Sequence, residues 1–169
     1  MQNALFSSSR QLWAAHLGET PVGPVWMAVS AQGLARVIIG APIESTGEGK
    51  TPTLLVHALQ QLAEYFRHKR EQFDLPIDWS GIAPFNLRAL QACAEIPYGQ
   101  VRTYAQLAEQ LGSPRGARAV GGAMAANPMP IIVPCHRVVG TDGKMHGYGA
   151  PKGIQTKAFL LSLEGGLSV

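Results

Sequence analysis

The sequence predicts a small amino-terminal α/β domain with a short antiparallel sheet, followed by a mostly helical carboxy-terminal domain with a helix-turn-helix. Three observations carry this expectation. Two apolar segments, 25–30 and 34–39, flank Ala31-Gln32-Gly33, a connection suited to a hairpin. From residue 84 onward the pattern changes to helical spacing broken by capping residues. Between them, 73–84 carries prolines and Gly81 and reads as a linker, which puts a boundary near Asp78 and gives domains 1–78 and 79–169.

Each element has a local reason. After the hairpin, 41–50 is a Pro/Gly/Glu loop, and Thr51-Pro52 offers an N-cap and first-turn proline for a helix with Leu55, Leu59, Leu62 and Phe66 on one face. Its basic end, Arg67-His68-Lys69-Arg70, complements the helix dipole and is expected in water. In the second half, 84–94 is amphipathic, with Phe85, Ala89, Leu90 and Cys93 inward, so Cys93 reads as a packed thiol. Thr103 and Gln106 then form a capping-box pattern that opens a helix ending at Gly112. A second helix is expected at once, capped by Ser113, with Pro114 in its first turn, running to Asn127-Pro128. Together they make the helix-turn-helix. Interior glycines such as Gly121 and Gly122 cost about 1 kcal/mol each relative to alanine, so a close approach by another surface is expected to compensate. That surface can be a helix of the same core or a second macromolecule; Arg115 and Arg118, one turn apart, favour nucleic acid.

Composition bounds the class. With 46% hydrophobic and 15% charged residues over 169 positions, the chain can build genuine cores and is not a disordered polymer. No apolar run approaches the roughly 20 residues of a membrane span, and 1–10 lacks the apolar core of a signal peptide. A cytoplasmic protein with no membrane association is expected. Two cysteines without CxxC or HxxxH spacing exclude a recognisable zinc motif and fit a reducing compartment. The net charge of +3 is unevenly divided: 1–78 holds six basic against seven acidic residues, and 79–169 eight against four. The positive half is the one that carries the chemistry below, as a polyanion partner would require.

That chemistry centres on Pro134-Cys135-His136-Arg137-Val138, entered from the apolar run 131–133. A thiol beside an imidazole and a guanidinium is a candidate nucleophile, because nearby positive charge favours the thiolate. The competing reading is a buried, inert small hydrophobe. On this reasoning Cys135 is expected to titrate below an ordinary thiol. His16, His57 and His68 are scattered and receive no ligand role.

Taken together, Ile96-Pro97-Tyr98-Gly99-Gln100-Val101-Arg102-Thr103-Tyr104, Ala117-Arg118-Ala119-Val120-Gly121-Gly122-Ala123-Met124, Asn127-Pro128, Pro134-Cys135-His136-Arg137-Val138 and Leu160-Leu161-Ser162-Leu163-Glu164-Gly165 resemble the O6-alkylguanine-DNA alkyltransferases. The likeness spans 79–165; the first half resembles that family only in outline. The resemblance implies direct-reversal DNA repair without a cofactor or metal. O6-methylguanine in double-stranded DNA would be flipped out and its alkyl group passed irreversibly to Cys135, one turnover per molecule, with a monomer as the acting unit. It further implies a base, His136, acting on the thiol through a water and oriented by Glu164. Tyr104 would rotate the target phosphate and donate to the departing base, while Asn127 ties the recognition helix to the active-site turn. Arg118 would fill the gap in the duplex, with Arg115, Ala117, Ala119 and Gly121 also at the DNA. Met124, Pro130, Val138, Tyr148, Gly149 and Lys157 would line the pocket. In two respects the chain departs from the pattern: 147–157 is two residues longer, and Gly149 stands where serine is common. A non-catalytic alkyltransferase-like damage sensor would use the same helices but lacks the reactive cysteine. A thiol hydrolase would use a similar Cys/His/acid set and would turn over.

Overall fold

The structure is a computed structural model that describes residues 10–165. The expectation about an amino-terminal signal concerns mainly residues 1–9, which lie outside them. Two compact units divide between Gly81 and Ile82.

The first unit is an antiparallel sheet with a helix on it. Strands β1 (Trp13–Leu17), β2 (Val25–Ser30) and β3 (Gly33–Ile39) lie in the order β1-β2-β3. The β2–β3 hairpin turns through Ala31 and Gln32 as the sequence predicts. Strand β1 was not predicted: its His16 and Leu17 run straight into Gly18, and its pairing partner β2 is only visible in three dimensions. Helix α1 (Thr53–Phe66) packs on all three strands. Pro52, at φ −62° and ψ 141°, is the N-cap itself, so the helix starts one residue after the proline and Thr51 makes no cap. The buried stripe is Leu55, Ala58, Leu62 and Tyr65, with Leu59 and Phe66 at its half-buried margin. A 3.6-residue period rotates past the larger side chains, and the small Ala58 takes the close approach. The basic run falls beyond the helix. His68 adopts φ 55°, and Lys69 N–H to Glu64 O (2.9 Å) and His68 N–H to Tyr65 O (3.1 Å) close a Schellman turn. Nor is the expected linker slack. Residues 76–78 pair with Leu34, through Leu34 N–H to Pro76 O (2.7 Å) and Asp78 N–H to Leu34 O (2.8 Å). Asp78 is buried, bonded by Ser30 and paired with Arg10, which holds this stretch in the first unit.

In the second unit, α2 (Pro84–Ala94), α3 (Tyr104–Gln110) and α4 (Ala117–Ala125) pack on one another, and α5 (Ile154–Leu163) closes the far side over the cysteine turn. Helix α2 buries Ala89, Leu90, Ala92 and Cys93, and Phe85 is half-buried. The α3 capping box forms as predicted: Gln106 N–H donates to Thr103 Oγ1 (3.1 Å) and Thr103 N–H to Gln106 Oε1 (2.8 Å). At its end Gly112, φ 71°, supplies the left-handed residue of a second Schellman turn. Helix α4 starts later than expected. Gly116 N–H bonds Ser113 O (2.7 Å), so 113–116 is a turn, Ser113 caps nothing, and Gly116 is the N-cap. Val120, Ala123 and Met124 face inward, while Arg118, Ala119 and Gly122 are exposed. Core packing thus accounts for the inner face, and the small residues of the outer face lie open. Among the described residues no helix is long and apolar enough to cross a membrane.

Candidate active site

The cysteine turn is built from strained and strapped backbone. Ile131, a buried β-branched residue, sits at φ 75°, a region that costs such residues on the order of 1–3 kcal/mol. Asn127 holds the run in place: its Nδ2 donates to Val133 O (2.8 Å) and its Oδ1 accepts from Met129 N–H (3.0 Å). Pro134, at φ −83° and ψ 63°, makes an inverse γ-turn closed by Cys135 N–H to Val133 O (2.8 Å). Cys135, His136 and Arg137 then form one 3-10 turn, and Val138–Val139 (β5) leaves it as a strand. Strand β5 pairs in parallel with β4 (Arg102–Thr103), matching Arg102 to Val138 and Thr103 to Val139. Because Thr103 is also the N-cap of α3, this pairing fixes Tyr104, the first residue of that helix, beside the segment that leaves the cysteine.

Behind the turn lies a buried ionic cluster. His136 Nε2 is 2.8 Å from Glu164 Oε1; Arg137 donates from Nε to Glu164 Oε2 (2.8 Å), from Nη2 to Glu164 Oε1 (3.0 Å), and from Nη1 to Ile96 O (2.5 Å). The Arg137–Glu164 pair is therefore bidentate. Glu164 is only 6% exposed and is not a surface charge. Burial pushes its carboxyl up, but the bonds from His136 and Arg137 outweigh this and hold it at about 2. It is ionised at neutral pH, accepts only, and so assigns the proton on His136 to Nε2. Burial lowers His136 in spite of Glu164, leaving the imidazole neutral with Nδ1 as its free lone pair. Nδ1 is buried and has no partner among the described residues.

The thiol departs from the expectation. Burial raises Cys135 above its ordinary value, and the opposing contributions of the Asn127 amide and the Lys157 charge are smaller. Arg137 spends its charge on Glu164, and His136 is neutral, so neither neighbour in sequence supplies the positive field the motif promised. At rest the site holds thiol and imidazole rather than thiolate and imidazolium.

Cys135 is only 7% exposed, yet it lines a cleft of about 1000 Å³. Of the residues expected to line the pocket, Met124, Tyr148 and Gly149 contribute to the walls, and Tyr104, Ala117, Arg118 and Gly121, expected at the DNA, line the same cleft. Pro130 and Val138 do not: Pro130 is bridged to Val133, and Val138 is fully buried in β5. Lys157 is also absent from the walls. It is buried beneath them, with Nζ donating to Val138 O (2.6 Å) and His146 O (3.3 Å) and lying 3.5 Å from Tyr104 Oη. It ties the strand after the cysteine to the loop opposite. Tyr148 carries a buried hydroxyl without a partner among the described residues, and burial raises its titration well above the ordinary range. Arg115 and Ala119 are exposed outside the cleft. The sequence reading missed Gly140, Thr141, Asp142 and His146, which form the wall opposite α4. No spacing marks them, since a loop brings them there. Among the described residues no group of three or more His, Cys, Asp or Glu could hold a metal.

A buried thiol on the wall of a cleft, its neighbouring imidazole locked to a carboxylate, beside a short helix with an arginine facing out, defines a class: proteins with a cleft cysteine set next to a two-helix surface. The comparisons make it specific. Residues 84–166 match the profile of the 6-O-methylguanine DNA methyltransferase, DNA binding domain, and 15–79 that of the 6-O-methylguanine DNA methyltransferase, ribonuclease-like domain. The constitutive methylated-DNA–protein-cysteine methyltransferase of Bacillus subtilis is 40% identical over 86% of this chain and 92% of its own length. The methylated-DNA–protein-cysteine methyltransferase of Methanosarcina barkeri is 40% identical over 86% of this chain and 93% of its own. Among solved structures, OGT of Mycobacterium tuberculosis in complex with DNA superposes with a TM-score of 0.80 at 38% identity, covering 90% of this chain and 92% of that one. The chain belongs to the O6-alkylguanine-DNA alkyltransferase family.

Proposed function

We propose that this chain repairs O6-alkylguanine in double-stranded DNA by direct reversal, acting as a methylated-DNA–protein-cysteine methyltransferase. The observation that carries the reading is the placement of Cys135 on the cleft wall with His136, Glu164 and Tyr104 around it. A guanine inside a duplex is beyond the reach of a cleft this deep, so it enters flipped out, at a cost of a few kcal/mol that damage reduces. The Cys135 proton moves to His136 Nδ1 through a bridging water as the sulfur attacks. Glu164 then faces an imidazolium, and its charge stabilises the change. The new S–C bond forms as the C–O6 bond breaks, and the guanine leaves with its electron pair, taking up a proton as Tyr104 donates. Low ground-state ionisation of the thiol fits a proton that moves only with the reaction, and protects an unused nucleophile from idle oxidation.

The product thioether has no good leaving group for water to displace, so each molecule acts once. Arg118, exposed at the start of α4, holds the vacated space in the duplex, and Arg115, Ala117, Ala119 and Gly121 form the surrounding contact in a minor groove that tolerates small side chains. Asn127 acts as the strap described above, Met124 and Tyr148 hold the base, and the unit that acts is a monomer in the cytoplasm, where two free cysteines persist. The damage-sensor reading is disfavoured by Cys135 itself. Duplex DNA carrying a labelled O6-methylguanine is the test: one methyl should appear on the Cys135 peptide, and none with Cys135→Ala. Label left on bound DNA would mean a sensor, and sustained turnover a hydrolase.

A further inference from the structure

The wall opposite α4 carries two polar side chains that the transfer reaction, as argued above, does not use. Asp142 and His146 both project over Gly140: Asp142 Oδ1 lies 2.6 Å and His146 Nε2 2.7 Å from the point a Cβ on residue 140 would occupy. Any side chain at 140 would therefore drive the two apart, and glycine is what allows them to converge. The turn is held by Gly140 N–H to Lys144 O (2.9 Å), Gly143 N–H to Gly140 O (3.0 Å) and Lys144 N–H to Asp142 Oδ1 (3.0 Å). The His146 carbonyl is anchored by Lys157 Nζ, and its ring centroid is 6.2 Å from that of Tyr104. Both side chains line the same cleft as Cys135. Nearby, Gly147 and Gly149 also line the cleft, and a Cβ added to either would meet nothing within 4 Å, so no side chain fills the space beside them.

We propose that His146, backed by Asp142, is a specificity-determining pair that favours O6-substituents ending in a hydrogen-bonding group over hydrocarbon substituents of the same size. This rests on the repair reading above and names its preferred substrates. A substituent lying along the wall toward Gly147 leaves its far end near an imidazole, which can donate from one nitrogen and accept at the other, and a carboxylate, which only accepts. A terminal hydroxyl satisfies either partner. A terminal methyl laid against these two solvent-exposed groups would displace some of their water and return no bond, so the hydroxyl holds the advantage of one hydrogen bond.

The 2-hydroxyethyl and n-propyl groups are nearly isosteric and test this directly. Single-turnover transfer to Cys135 from duplexes bearing O6-methyl-, O6-(2-hydroxyethyl)- and O6-propylguanine is measured for the full chain, His146→Leu and Asp142→Asn. The variants serve as references for intrinsic reactivity. The hydroxyethyl-to-propyl rate ratio should be about 3- to 10-fold higher in the parent than in His146→Leu, the range one hydrogen bond provides. Asp142→Asn should fall between. Equal ratios in parent and His146→Leu overturn the proposal, as does a lower ratio in the parent; if His146→Leu does not fold, an Asp142→Asn ratio equal to the parent's overturns it. Failure of the parent to transfer even methyl would overturn the repair reading itself, and this inference with it.

Discussion

Replacing Glu164 by glutamine is the sharpest perturbation the structure offers. The side chain is fully buried and accepts from His136 and twice from Arg137, and its carboxyl is lowered from 4.5 to about 2. At about 1.4 kcal/mol per unit, that shift corresponds to about 3 kcal/mol favouring the folded state. The sign follows from the depressed folded value: the contribution is complete above the unfolded value of 4.5 and is lost as pH falls from there through about 2. Glutamine removes it and leaves Arg137, 6% exposed, as an uncompensated buried cation, a situation that costs about 3–5 kcal/mol. For a chain of 169 residues each kcal/mol moves Tm by about 2–4 °C. Glu164→Gln should then melt about 6–20 °C lower at pH 7, and the gap should narrow as pH drops from about 5 toward 2. Calorimetry or circular dichroism across that range measures it. Arg137→Met alone should also destabilise, and the double variant should lose less than the two singles together, because it buries no lone charge. A Glu164→Gln protein that melts within about 2 °C of the parent at pH 7 would refute the account of this cluster.

Titration of the thiol, followed by ultraviolet absorbance in the unreacted protein, should place Cys135 above its ordinary value of 9.0, and His136→Ala should slow methyl transfer with little change in DNA affinity. A thiol that titrates near neutrality would contradict the burial argument. Arg118→Ala should slow repair of duplex DNA by 10-fold or more on the order-of-magnitude view that flipping costs a few kcal/mol, while reaction with free O6-benzylguanine is nearly unaffected; equal losses would mean that Arg118 acts on the bound base or the fold rather than on flipping. Gly99 sits at φ 73° with the Glu164 carbonyl oxygen 2.9 Å from where a Cβ would be, so Gly99→Ala should cost about 2 kcal/mol or more, read as a lower denaturant midpoint. An unchanged midpoint would mean that this turn relaxes without loss.

What the sequence determined by itself is what short-range physics decides. The 25–39 hairpin, the α3 capping box at Thr103 and Gln106, its Gly112 stop and the inward face of α2 all follow from residues within a turn or two of each other. The family motifs carried Cys135, His136, Glu164, Tyr104 and Asn127, and the structure gathers them around one turn. Tertiary structure decided the rest. Strand β1 exists because β2 offers it an edge, and residues 76–78 stay with the first unit because Leu34 and Ser30 bind them from far along the chain. The start of α4 moved because a local turn at 113–116 competed with the cap the sequence offered. Above all, the state of Cys135 is a long-range quantity. Sequence placed two cationisable groups, His136 and Arg137, directly after the sulfur, but Glu164, 27 residues from Arg137, neutralises the guanidinium and fixes the imidazole, and burial then governs the thiol. Charges add through space and dielectric, not along the chain, so adjacency to Arg137 said little about the field at the sulfur.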